Sequence, residues 1–188
     1  YSGEFYVDEN NPQILTQKYS DVKITGNPDS GYEVIDNLGN KYIYGNTYKE
    51  YDLVQQSVSV DMGAGANYPS TSGQYSYNSW NLETITTATN HEIQYIYAPE
   101  DVGVVRRSGD YEYIFSGDYQ AGSPEVSCNY NISVSHQNLI SEITYKEGKV
   151  KFINQLNIRD DLSNAHALDR IELYNMKNEL IKKIKFNY

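Results

Sequence analysis

The chain has 188 residues, a formal net charge of −10 and a pI near 4.7. A nucleic-acid-binding protein needs a basic surface to neutralise phosphates, so this charge excludes that class of function. No apolar run approaches the roughly 20 residues of a membrane-spanning helix, so we expect no membrane insertion of this segment. The chain carries 20 Tyr, 4 Phe and 1 Trp, and because Tyr combines strand propensity with a water-tolerant hydroxyl, many half-exposed strands are predicted.

The first predicted hairpin lies in the first quarter of the chain. Residues 32–35 and 41–44 are rich in strand-forming side chains and flank the polar run 36–40. Gly39 fits the left-handed position that closes a hairpin loop of this length, so we predict the turn there. Residues 57–62 then alternate apolar and polar side chains, the period-two pattern of a strand with one face on a core.

Three hairpins later in the chain resemble one another. Each begins with a leucine or isoleucine, has an isoleucine three residues on, and continues through a polar turn into an aliphatic or aromatic exit strand. Their separation along the chain is irregular, so they are not a strict solenoid repeat. They join 82–85 to 93–97 with the turn at Asn90, 143–145 to 150–152 with the turn at Gly148, and 171–174 to 180–184 with the turn at Lys177.

Two polar stretches and one mixed segment separate these hairpins. Residues 63–79 are rich in small side chains and predict a long loop. Residues 100–129 mix Gly, Asp and Tyr, and we expect an inserted hairpin at 111–115. In 159–170, one of two adjacent aspartates is placed to cap a single helical turn.

Strand patterns resume on both sides of every polar stretch, which favours one domain over residues 1–188. The predicted fold is all-β, with antiparallel meandering hairpins forming a sandwich or stacked sheets and at most one short helical turn. The chain begins at Tyr1 without an initiator Met and closes on a strand-like run. We therefore expect a processed protein or, in preference, a piece of a longer one.

The sequence contains no recognisable catalytic or cofactor-binding motif. His91, His136 and His166 are far apart and lack metal-ligand spacing, so each is interpreted as a surface or turn residue. Cys128 is the only cysteine and has no basic neighbour, which favours an inert thiol. No phosphate-binding loop or nucleophile elbow occurs. We expect no catalytic residues, no metal ligands and no cofactor.

Acidic residues are numerous, and two interpretations stay open for them. The clusters 8–11 and 36–37 partly resemble calcium loops but lack the regular spacing of oxygen ligands and the final bidentate Glu, so turn chemistry is favoured. Asp160 and Asp161 are interpreted as a cap rather than a catalytic pair. A glycosidase needs two carboxylates roughly 5–10 Å apart, an arrangement that sequence does not reveal.

Trp80, Tyr75 and Tyr77 are the candidate ligand-binding residues. They lie around the end of the polar stretch before the second hairpin. Two roles are open for Trp80, a core anchor or an exposed platform for sugar stacking. The tyrosines likewise suit either ordinary strand positions or stacking on sugar rings.

Several segments together resemble Rhs/YD-repeat-related surface proteins of the Bacteroidetes. Residues 32–45, YEVIDNLGNKYIYG, resemble that family's "fxitDxdGxxYyFG" hairpin, and residues 79–85, SWNLETI, are similar to its "SWxLxkI" strand. The run 140–152 with the following 159–162 and 168–171, and the opening YSGEF, also look like that family. True YD repeats are absent, and Ala88-Thr89-Asn90-His91 replaces the usual glycine-bearing turn. The similarity is therefore to the region upstream of the repeats.

The resemblance implies a structural or attachment module without catalytic residues. It also implies an exported protein, located at the cell surface, associated with an outer membrane or secreted. Its partners would be other domains of the same polypeptide or cell-surface proteins. A second hypothesis, drawn from the tyrosine content and Trp80, is a carbohydrate-binding β module that recognises a glycan. A third, less favoured hypothesis is a glycosidase-type enzyme.

Overall fold

A computed structural model of the chain describes residues 5–8, 11–16, 21–53, 58–61, 75–108, 127–162 and 164–188. These residues form twelve β-strands and no helix, so the predicted all-β fold class is confirmed. The strands are β1 Phe5–Asp8, β2 Asn11–Thr16, β3 Lys23–Asn27, β4 Gly31–Ile35, β5 Lys41–Leu53, β6 Val58–Asp61, β7 Tyr75–Thr86, β8 Glu92–Ser108, β9 Ser127–Tyr145, β10 Gly148–Ile158, β11 His166–Asn175 and β12 Leu180–Lys185.

Ten of these strands form one antiparallel sheet, and β1 and β2 pair separately. The path through the sheet is β12-β11-β10-β9-β8-β7-β5-β4-β3, with β6 added to β9. Neighbours in the sheet are mostly neighbours in sequence. The predicted meander of hairpins is therefore confirmed.

The sheet also returns on itself through its long strands. β7 and β8 pair only beside their turn, around Ile85 and Ile93, and then separate. From there β7 continues alongside β5, and β8 continues alongside β9. β5 and β9 then meet, with Tyr51 opposite His136. The pairings β5–β7–β8–β9–β5 thus form a closed circuit, which brings side chains distant in sequence onto one surface.

Three hairpins close with the same five-residue turn: the first predicted hairpin and two of the three that resemble one another in sequence. In each, the first residue's N–H donates to the fifth residue's carbonyl and the fourth residue's N–H donates to the first residue's carbonyl. The fourth residue has positive φ: 81° at Gly39, 61° at Asn90 and 58° at Asn178. Gly and Asn tolerate this left-handed conformation. The third of these turns therefore reverses at Asn178. The sequence pattern predicts the turn at Lys177, one residue earlier.

The β3–β4 hairpin has no clear signal in the sequence pattern. Its loop is held by Asn27, whose Oδ1 accepts hydrogen bonds from the N–H groups of Asp29 at 2.9 Å and Ser30 at 2.8 Å. β4 then begins at Gly31, with φ 84°, where a Cβ atom would lie 2.3 Å from the carbonyl oxygen of Tyr44. A glycine is required there because β4 and β5 approach so closely. Gly148 starts β10 in a similarly tight place, since a Cβ atom there would lie 2.0 Å from a backbone carbonyl oxygen of β11.

The two long polar stretches are shorter than the sequence predicts. β7 already begins at Tyr75, inside the predicted loop 63–79. β8 runs on to Ser108 and β9 begins at Ser127, so both ends of the stretch 100–129 are strand. Strand pairing between β8 and β9 overrides their polar composition. The hairpin expected at 111–115 lies outside the described residues.

The segment between β10 and β11 forms a loop in place of the expected helical turn. The Arg159 N–H donates to the Ala165 carbonyl at 2.8 Å and closes the loop across its base. The guanidinium of Arg159 donates two hydrogen bonds to Asp161, at 2.9 and 2.7 Å. This bidentate pair lowers the pKa of the Asp161 carboxyl. The described residues of this loop, 159–162 and 164–165, contain no helical turn.

Few side chains of the described residues are deeply buried, and polar groups are prominent among them. The buried apolar residues are Tyr32, Val102 and Ala165, and the buried polar residues are Asp36, Asn138 and Glu172. Each of these three polar side chains is hydrogen-bonded. The sheet is therefore stabilised by half-buried side chains and polar networks as well as by a small apolar core.

Asp36 illustrates this polar stabilisation. Its carboxylate accepts hydrogen bonds from the N–H groups of Leu38 and Asn40, the Asn40 amide and the Tyr42 hydroxyl, at 2.9 to 3.0 Å. These bonds, above all the one from the Asn40 side chain, hold the pKa of Asp36 below its ordinary value of 3.8, while burial opposes them. Because the folded pKa is the lower one, the stabilisation is fully present above pH 4 or so and is lost as pH falls through the folded pKa.

We therefore expect Asp36→Asn to make the protein less sensitive to acid. Asn fits the turn because Asn175 holds the equivalent place in the third hairpin, accepting from the N–H groups of Lys177 and Glu179. Urea unfolding midpoints at pH 7 and pH 3 measure the effect. The wild-type midpoint should fall more between these values than that of the variant, and equal losses would contradict the assignment.

Candidate functional site

Aromatic rings from three strands cluster where the circuit closes. Tyr51 of β5 stacks on His136 of β9, with ring centroids 4.6 Å apart and planes inclined by 12°. Tyr75 and Tyr77 of β7 contact each other at 5.4 Å and contact Tyr51 at 5.4 and 6.1 Å. We call these four residues the tyrosine platform.

Strand register puts the platform on one face of the sheet. Tyr51 lies opposite Tyr77 on one side and His136 on the other. Since side chains alternate between faces along a strand, Tyr75 points to the same side as Tyr77. Tyr75 is 58% exposed, and the other three residues are half-buried. The platform therefore presents aromatic surface to solvent.

Charged groups flank the platform at two ends. The Lys49 Nζ lies 5.3 Å from the centre of the Tyr77 ring, within cation–π range. At the other end, Asp101 Oδ1 lies 2.6 Å from His136 Nδ1. Burial raises the pKa of Tyr77, and its hydrogen bond with Tyr75 raises it further. These contacts hold the rings in a defined arrangement, the property that a binding surface needs to limit the entropic cost of association.

Trp80 has packing contacts of its own. Its ring meets Tyr32 edge-on at 5.3 Å, and its Nε1–H donates to the Pro28 carbonyl at 2.9 Å. Gly45 lies directly against the indole, since a Cβ atom there would be 2.3 Å from Trp80 Cδ1. Trp80 is half-buried. Of the three candidate ligand-binding residues, the structure brings the two tyrosines together and places Trp80 as an anchor for the β3–β4 turn.

Two members of the platform and one flanking residue have no signal in the sequence. Tyr51, His136 and Lys49 lie in segments where no motif marks them. Lys49 links the platform to the β3–β4 turn, because its Nζ also donates to the Asp29 carbonyl at 2.6 Å. Tyr51 lies beside Tyr77 because of the register between β5 and β7, which would have indicated the pair. His136 depends on the β5–β9 pairing, which no local pattern specifies.

The remaining sequence candidates have local roles. His91 lies exposed in the second hairpin turn, where its N–H donates to Thr87 Oγ1. Asp36 caps its own turn, as described above, and residues 9 and 10 of the other acidic cluster lie outside the described residues. Cys128 lies in β9 opposite Val60. Within the described ranges, no group of three or more His, Cys, Asp or Glu side chains is arranged to hold a metal ion.

In the part of the chain that the structure describes, no helix is long and apolar enough to cross a membrane. Comparison with protein-family models, curated proteins and solved structures finds no match. The relationship to Rhs-like surface proteins therefore stays a prediction.

Proposed function

We propose that the chain is a non-catalytic interaction module of a large exported, cell-surface-associated protein of the Rhs-like type, and that its tyrosine platform binds a glycan. The platform is the observation that carries the proposal. It gathers four rings from three strands, and Tyr75 within it is more than half exposed. Clustered exposed aromatic residues are uncommon on surfaces without a binding role.

The chemistry of the platform suits sugar rings. A sugar ring has an apolar face of C–H groups and an edge of hydroxyls. Tyrosine rings provide a complementary apolar surface, and their hydroxyls donate and accept hydrogen bonds. Lys49 and Asp101 add a donor and an acceptor beside the rings. Because the chain carries a net charge of −10, neutral glycans are favoured over anionic ones.

Two observations support a non-catalytic role. Every buried polar side-chain atom in the described residues has a hydrogen-bond partner. The carboxylates beside the platform are also engaged: Asp101 contacts His136, and Asp52 on the reverse face accepts from Asn78 and Ser135. This arrangement stabilises the sheet and does not resemble the pair of facing carboxylates of a glycosidase.

Removing either tyrosine ring is expected to weaken glycan binding. A screen on immobilised neutral oligosaccharides identifies a ligand, and calorimetry then gives its Kd. We expect Tyr75→Ala and Tyr77→Ala each to weaken binding about tenfold, because a stacked ring contributes roughly 0.5–1.5 kcal/mol beyond its buried area. Tyr188→Ala is the matched control, since Tyr188 is 84% exposed and outside the platform.

Two results would overturn the glycan proposal. One is the absence of binding to any neutral oligosaccharide on the array. The other is equal affinity for the wild type, Tyr75→Ala and Tyr188→Ala. The first outcome would favour the second candidate function, a purely structural module, which the repeated hairpin turns and the closed circuit of strands support. The second outcome would mean that the glycan binds outside the platform.

A further inference from the structure

A cleft of about 240 Å³ lies against β8 and β9, on the face opposite to His136. Val102 of β8 and Leu139 of β9 line it from the sheet, and Leu162 and Ala165 line it from the loop between β10 and β11. Val102 and Asp101 are consecutive residues of one strand and therefore face opposite sides. The cleft and the tyrosine platform are thus separate sites on the two faces of β8 and β9.

A nearly buried carboxylate reaches this cleft. The Glu100 side chain is 10% exposed, and its Oε1 accepts from both the N–H and the Nδ1 of His166, at 3.0 and 2.5 Å. No residue of the described chain donates to its Oε2. Glu100 lines the cleft, and the described residues contain no buried polar atom without a partner. The Glu100 carboxylate provides a fixed acceptor that a bound molecule can use.

Hydrogen-bond donors lie around the same cleft. Arg159 uses its Nε and Nη2 on Asp161, and no described residue accepts a hydrogen bond from its Nη1. Gln137, an exposed residue of β9, adds an amide that both donates and accepts. The two charged groups of the lining are already paired, Glu100 with His166 and Arg159 with Asp161. This pairing favours a neutral ligand over an ion, since an ion would gain little from balanced charges.

We propose that this cleft is a second binding site, which takes a single ring of a neutral sugar. An apolar floor suits the C–H face of the ring, and neighbouring acceptors and donors suit hydroxyl groups, which do both. The volume of about 240 Å³ lies below the roughly 300–1,000 Å³ of pockets for drug-sized ligands and fits one ring. The proposal goes beyond glycan binding at the platform, because the two sites share no residue.

Two consecutive residues of β8 give a matched pair of variants. Glu100→Gln replaces one carboxylate oxygen of the cleft lining with an amide donor, whereas Asp101→Asn alters the platform face. The probes are glucose, galactose, mannose and N-acetylglucosamine at millimolar concentration, followed by ¹H–¹⁵N correlation spectra. We expect at least one of these sugars to shift the amides of Val102, Leu139 and Ala165. Glu100→Gln should weaken that binding at least tenfold, and Asp101→Asn should change it less than twofold.

A second variant keeps the test decisive if Glu100→Gln perturbs the fold. Gln137 is exposed, so Gln137→Ala is expected to retain the wild-type spectrum without ligand and to weaken sugar binding several-fold. If no sugar in the panel shifts the cleft amides, the cleft proposal fails. If the shifts occur only around Tyr75 and Tyr77, the cleft proposal fails and the platform proposal stands. If the shifts occur only in the cleft, the platform proposal fails and the cleft proposal stands.

Discussion

Gly31→Ala is expected to lower the free energy of unfolding by about 3 kcal/mol or more, because it adds a steric clash to backbone strain. Gly31 has φ 84°, and a Cβ atom there would lie 2.3 Å from the Tyr44 carbonyl oxygen and 2.6 Å from the Gly45 carbonyl carbon. Both atoms belong to the backbone of β5, so no rotation of a side chain relieves the clash. β4 would have to move away from β5, which also disturbs the contact of Tyr32 with Trp80.

Gly39→Ala is the matched control, because it has nearly the same backbone conformation without the crowding. Its φ is 81°, and the nearest atom to a Cβ there is the Ala88 Cβ at 3.6 Å. We expect the free energy of unfolding of this variant to fall by only about 1–2 kcal/mol, the cost of an alanine in the left-handed conformation. Gly103→Ala, which has no atom within 4 Å of its Cβ, should be nearly neutral.

Urea unfolding followed by circular dichroism compares the three variants with the wild type. The expected order of destabilisation is Gly31→Ala, then Gly39→Ala, then Gly103→Ala. A loss at Gly31 no larger than that at Gly39 would show that β4 does not approach β5 as closely as the structure has it. The same result would remove the reason for a glycine at the start of β4.

The hairpins could be predicted from the sequence because their information is local. A turn such as 36–40 is specified by a capping side chain at its first position and a left-handed residue at its fourth, and both can be read within five residues. The third turn was placed one residue early because Asn178 serves in the left-handed position as well as glycine does. The β3–β4 hairpin had no signal, since Asn27 acts through its side chain and the following strand begins with a glycine.

The tyrosine platform could be predicted only in part, because its members come from distant segments. Tyr75 and Tyr77 were candidates because they lie close together in a tyrosine-rich stretch. His136 joins them through the pairing of β5 with β9, a long-range contact whose register depends on the whole circuit. Glu100 and His166 also come from distant segments, on two strands that are not adjacent in the sheet. Sequence periodicity identifies strands but does not specify contacts between side chains that are distant in sequence.

The second large effect on stability is expected at Asn138, where that circuit closes. This residue is buried in β9, where the partner of β9 changes from β5 to β10. Its amide Nδ2 donates to the Lys49 carbonyl and to Asn81 Oδ1, each at 3.0 Å, and its backbone N–H donates to Glu50 Oε1 at 3.1 Å. One side chain therefore connects β5, β7 and β9 at the place where no continuous ladder joins them.

Asn138→Asp is expected to cost about 3 kcal/mol at pH 7, because it leaves buried acceptors without a donor and adds a charge among them. The substitution keeps the size and shape of the side chain, so cavity formation does not contribute. A carboxylate at this position would face the Lys49 carbonyl, Asn81 Oδ1 and Glu50. Protonation restores a donor, so the loss relative to the wild type should be smaller at pH 4 than at pH 7.

Gln137→Ala provides the control, since Gln137 is the exposed neighbour of Asn138 in β9. We expect it to change stability by less than about 0.5 kcal/mol, as for most surface substitutions. The Asn81→Ala variant and the Asn138→Ala/Asn81→Ala double variant then measure the coupling between the two amides, and a hydrogen-bonded pair should give a non-additive result. Equal stability of Asn138→Asp and Gln137→Ala at pH 7 would contradict a closed circuit held by Asn138. Loss of the Tyr51–His136 contact in Asn138→Asp would instead show that this polar junction also holds the tyrosine platform together.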